Sequence, residues 1–232
     1  MFRLTAAAKT FFAEIKTTPA PYRKLFGVFF AVSLAAYLLV TFLKDILNGG
    51  ELLGTILGFI VLYIGFLLYR SFCRDDKSFK EAAKATRPSD FFKLAAIFAV
   101  VNVPTFLING VIVQKITMPA FGRVLCSLAV LVLSVFGECL QLYAAKKPDK
   151  NVSDTLSGGL SLVGKALVPL IVMDLVVVLI TFAISFALAF PFTAIFGGEN
   201  SQSIILFFSQ IFAVIFTFFY SGVFFEMDIF WE

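Results

Sequence analysis

Six separate stretches of this chain are each long and apolar enough to cross a bilayer: roughly residues 25–43, 52–71, 94–114, 124–144, 166–190 and 203–225. A hydrocarbon core is spanned by about 20 apolar residues in a helix, because every backbone polar group must be satisfied within the segment. The intervening connections are short, so the 232 residues leave no room for a separate soluble domain. The composition agrees. Hydrophobic residues make up 60% of the chain and the mean hydropathy is +0.96, whereas soluble domains average about 45–50% apolar residues. The expected fold is all-α, a polytopic bundle of six transmembrane helices forming one integral membrane domain over residues 1–232.

Several functions are disfavoured by what the chain lacks. Histidine is absent, which removes the commonest general base and the commonest metal ligand. The three cysteines, Cys73, Cys126 and Cys139, form neither a C-x-x-C pair nor a zinc spacing. Cys73 is juxtamembrane and open to palmitoylation, although a plain free thiol is the expectation. No phosphate-binding Walker loop, G-x-S-x-G elbow or H-E-x-x-H helix is present. No catalytic residue, metal or cofactor is therefore assigned, and a non-enzymatic protein is expected. The net charge of +4 is spread over membrane-flanking segments, which suits anionic headgroups rather than nucleic acid. About 24 mixed residues precede the first apolar run, unlike a secretory signal peptide, so the first span is expected to stay in place.

Charge placement gives an orientation. Lys and Arg number nineteen, and sixteen of them fall in the N-terminal segment, the second connection and the fourth connection with its lead into span 5. Only Lys44, Lys115 and Arg123 lie on the other side. By the positive-inside rule both termini face the cytoplasm. Trp231 suits an interfacial anchor.

Each basic segment reads as a short amphipathic elbow before a hairpin. In "MFRLTAAAKTFFAEIKT", Leu4, Ala8, Phe11, Phe12 and Ile15 share one face at 3.6-residue spacing, until Pro19 and Pro21 interrupt it. In "KSFKEAAKATRPSDFF", Phe79, Ala82 and Ala83 form the face, Pro88 breaks it, and Ser89 or Asp90 caps the next helix. In "NVSDTLSGGLSLVGKAL" the pattern is weaker and is interrupted by Gly158 and Gly159. Such helices suit the headgroup region, with Phe11, Phe12 and Ile15 in lipid; packing onto the bundle is the alternative. Lys24, Lys93 and Lys165 start the odd-numbered spans, and nine residues after each come Ser33, Asn102 and Asp174. This register suggests three tandem repeats, over residues 1–72, 73–146 and 147–232.

Polar residues inside the spans supply the candidate site. Asp174 interrupts the apolar run "VPLIVMDLVVVL", and Glu138 and Asn102 fall at similar depth, on the order of 10–13 Å at 1.5 Å per residue. Ser127, Ser134, Glu138 and Gln141 make one helical stripe; Asp174, Thr181 and Ser185 make another, and Gln210, Thr217 and Ser221 a third. Lipid penalises polar side chains, so these stripes are expected to face inward. Span 2 instead carries Gly50, Gly54, Gly58 and Gly65, with Gly54 and Gly58 expected to form a close-packing face. Pro104 and Pro169 are positioned to kink their helices near the polar layer. Lys93 and Lys165 are expected to snorkel from the membrane edge. Glu138, Asp174 and Asn102 thus read either as a proton- or substrate-binding site or as interhelical hydrogen-bonding groups with no further role.

The segments "SFKEAAKATRPSDFFKLAAIF" and "PAPYRKLF" resemble those of bacterial inner-membrane families. One is the membrane domain found fused to glycerophosphodiester phosphodiesterases. The other is the Yip-like family, which has a similar P-x-x-x-x-K-L-F lead into its first span; six spans rather than five depart from its pattern. The resemblance implies a bacterial cytoplasmic membrane and supplies no catalytic residues. Two functions follow as expectations. One is a scaffold or accessory subunit, with the lipid bilayer and a second membrane protein as partners. The other is a small proton-coupled or lipid/small-molecule transporter using Glu138 and Asp174.

Overall fold

A computed structural model describes the backbone of residues 2–46, 50–108, 112, 119–196 and 198–229. Among these there are eight α-helices and no strand: α1 Phe2–Thr17, α2 Pro19–Ile46, α3 Gly50–Phe72, α4 Phe79–Lys84, α5 Pro88–Phe106, α6 Ala120–Lys146, α7 Val152–Phe196 and α8 Gly198–Ile229. Six of them, α2, α3 and α5–α8, are long and apolar enough to cross a membrane. The protein is an all-α polytopic membrane protein, as its hydropathy requires. Trp231 lies outside the described residues.

The chain divides into two compact units. The first takes residues 1–57 and 172–230, the second residues 58–171. This division cuts across the three-repeat register, since α7 begins in the second unit and ends in the first.

In the first unit, α1 and α2 meet at Thr18. Pro19 disfavours helical backbone in the residue before it and opens α2 itself, where its missing N–H costs nothing. The apolar face of α1 then packs onto α8. Phe11 is fully buried, with Tyr22 at 5.6 Å and Phe218 and Phe219 each at 6.4 Å between ring centroids. A Cβ on Gly222 would collide with the Phe11 ring, so only glycine lets the ring sit against the α8 backbone. Phe11 is therefore a protein-packing residue, not the lipid-facing one expected from amphipathicity. Phe12 remains exposed and stacks on Phe219, and Ile15 is half-buried.

In the second unit α3, α5 and α6 pack through small residues. Gly58 faces Phe98, Gly137 faces Val101, and Gly65 faces Gln141. Gly54 does not share this role: a Cβ there would meet no described atom within 4 Å. The third elbow also differs from expectation. Residues 152–165 belong to the same unbroken 45-residue helix as the fifth span. Gly158 and Gly159 do not interrupt it. They let Tyr143 and Leu140 of α6 approach the α7 backbone, where any Cβ would collide. Close packing thereby offsets the intrinsic cost of two helical glycines.

Candidate functional site

Asp174 belongs to the first unit, whereas Glu138 and Asn102 belong to the second. In the second unit, α6 carries Glu138 and α3 carries Tyr69, whose hydroxyl donates to Glu138 Oε2 at 2.5 Å. Tyr69 is almost wholly buried, so its phenol is a fixed partner inside the bundle. One turn further along α6, Gln141 is buried, and its Oε1 would lie 2.6 Å from a Cβ placed on Gly65. Asn102 turns back onto its own helix, Nδ2 donating to Phe98 O at 3.1 Å. It lies within α5 two residues before Pro104, which is also inside the helix.

In the first unit, half-buried Asp174 on α7 accepts a hydrogen bond from Tyr220 on α8. Eleven residues along, Ser185 and Ser209 share a hydrogen bond at 2.6 Å between α7 and α8. The stripe Asp174–Thr181–Ser185 is accordingly half-buried along its length. The other two stripes point inward only in part. Ser221 and Gln141 are buried, but Ser127, Ser134 and Thr217 are exposed. Ser127 and Thr217 donate to carbonyls four residues back, Arg123 O at 3.1 Å and Ala213 O at 2.7 Å. A hydroxyl satisfied by its own helix can face lipid, so stripe periodicity alone misassigns Ser and Thr.

The most polar buried cluster is one that the sequence reading did not assemble. Asp90 is completely buried on α5. Its Oδ2 accepts from Arg70 Nη1 at 2.9 Å and from the backbone N–H of Arg87 at 2.9 Å. Asp90 therefore reaches back from the first turn of α5 to Arg87, which occupies the N-cap position itself. Lys93 lies one turn on and is 3% exposed. Its Nζ donates to Asp90 Oδ1 at 3.4 Å and to Pro148 O at 2.5 Å. Lys93 thus does not snorkel, because a carboxylate and a carbonyl hold the ammonium inside the protein. Pro88 and Asp90 signalled the helix start, and the i, i+3 spacing of Asp90 and Lys93 is legible. The Arg70 partner, twenty residues earlier, is set by how α3 packs against α5.

Among the described residues no group of His, Cys, Asp and Glu has the makings of a metal site. No family model matches the chain, and neither a curated protein nor a solved structure matches it.

Proposed function

We propose that this protein is a non-enzymatic membrane scaffold or accessory subunit. One observation carries this reading: each candidate polar residue has a hydrogen-bond partner inside its own unit. Glu138 is bonded by Tyr69, Asp174 by Tyr220, and Asn102 by its own helix. Such bonds stabilise helix pairs modestly, about 0.6 kcal/mol on average, and occur without any transport role. A transport site is built from groups that exchange partners with a ligand or a proton donor. α7 also leaves Phe182, Phe186 and Phe190 exposed, surface that lipid or another membrane protein covers. The basic segments place both termini in the cytoplasm in this reading.

The test separates the polar residues from the surface. Purification in mild detergent followed by mass spectrometry should recover a stoichiometric membrane-protein partner. Asp174→Asn and Glu138→Gln should fold and leave both that partner and the cellular phenotype unchanged. Loss of the phenotype in either variant, with folding intact, would overturn the scaffold reading in favour of a transporter.

A further inference from the structure

A cleft of about 450 Å³ opens in the second unit where α5 begins and α6 hands over to α7, lined among others by Arg87, Ser89, Phe92, Lys93, Asp149 and Lys150. Its volume falls within the range of small-molecule sites. Its charge is unbalanced. Among its lining residues three cations, Arg87, Lys93 and Lys150, stand against one carboxylate, Asp149, while Lys93 also pairs with Asp90 behind the wall.

The cations are not equally committed. Arg87 pairs with Asp149 at 2.8 Å, but both side chains are largely exposed, and such pairs contribute little stability. An incoming anion can exchange with Asp149 at small cost. Buried Lys93 has three N–H donors and uses two of them, on Asp90 and Pro148 O; the third has no acceptor among the described residues. Two long helices, α5 and α7, also begin at this cleft, and their N-terminal dipoles favour negative charge.

The surroundings indicate what carries that charge. Phe92 lines the cleft and is 72% exposed, and Phe91 beside it is also exposed. The apolar run of α5 follows directly, and both α5 and α7 are candidate spans. A soluble phosphate has no use for an apolar wall beside its site, whereas an acyl chain does.

We propose that this cleft seats the phosphodiester headgroup of an anionic phospholipid, with Lys93, Lys150 and Arg87 as its cations and Phe92 against the acyl chains. This inference goes beyond the scaffold reading and does not depend on it.

Native mass spectrometry of the full chain in mild detergent tests the proposal, titrating phosphatidylglycerol against phosphatidylcholine. Phosphatidylglycerol should be retained preferentially. Lys150→Ala and Arg87→Ala should each weaken its retention about fivefold, the worth of one basic side chain at an anionic surface. Lys150→Arg should restore it, and Asp149→Asn should tighten it by freeing Arg87. Lys150 and Arg87 are both exposed, so unchanged thermal unfolding midpoints are expected. Equal retention of the two lipids, or retention of phosphatidylglycerol that ignores both alanine variants, would overturn the proposal. Variant-sensitive binding of inorganic phosphate without retention of lipid would overturn it too, by assigning the cleft to a soluble anion.

Discussion

The two units fasten comparable junctions with opposite chemistry. Beside the α1–α2 bend, the first unit buries aromatic rings: Phe11 sits among Tyr22, Phe218 and Phe219, with Gly222 clearing space for it. At the start of α5, the second unit buries charge: Asp90 lies between Arg70 and Lys93, with Pro148 O completing the ammonium's contacts. The aromatic clasp depends mainly on shape, since Phe11 gains by ring contact, with Tyr22 also donating its hydroxyl to Glu14. The ionic clasp depends on completeness. Removing its single carboxylate leaves two cations in a low dielectric, whereas removing one ring leaves only a void.

That contrast orders the expected effects. Asp90→Ala should be the most damaging change, destabilising the protein by about 3–5 kcal/mol in detergent unfolding, because Arg70 and Lys93 lose their common partner. If Asp90→Ala proved milder than a core truncation, the ionic clasp would be incidental and the comparison would fail. Phe11→Ala should cost about 3–4 kcal/mol through the cavity it leaves, and Gly222→Ala about 1–3 kcal/mol through overpacking against the same ring. Neither loss should vary with ionic strength. A salt-dependent loss in Phe11→Ala would mean that the clasp also carries electrostatic load. Ser185→Ala should have the smallest effect, about 0.6 kcal/mol, since it removes one interhelical hydrogen bond while the surrounding apolar contacts remain.

Much of this organisation is legible from local pattern. The six apolar runs, the break before Pro19 and the helix start at Pro88 follow from hydropathy and from the proline ring. The candidate site was legible only as a set of residues. Asp174, Glu138 and Asn102 stand out because acids and amides are costly in a membrane, but Tyr69 and Tyr220, the partners of Glu138 and Asp174, are distant in sequence, and Asn102 bonds only its own helix among the described residues. The double glycine at 158–159 misleads when read locally. Its effect on helix propensity suggests interruption, and its actual use is contact with Tyr143 and Leu140. Ser127 and Thr217 mislead in the opposite direction, since hydroxyls can satisfy themselves on the preceding turn.

By itself the sequence determined that the chain is a membrane protein, how many long apolar spans it has and that the chain breaks before Pro19 and Pro88, though not that the third elbow continues unbroken into its span. Hydrophobic transfer and backbone hydrogen bonding act on each segment separately, so no tertiary information is needed for those conclusions. Only the tertiary structure decided that Phe11 faces protein, that Lys93 is buried, that Gly222 rather than Gly54 is a close-packing glycine, and that Glu138 and Asp174 each meet a tyrosine. These outcomes depend on which helix faces which. Lipid is as apolar as the side chains it competes with, so hydrophobicity cannot choose those neighbours; close fit and hydrogen-bond partners choose them.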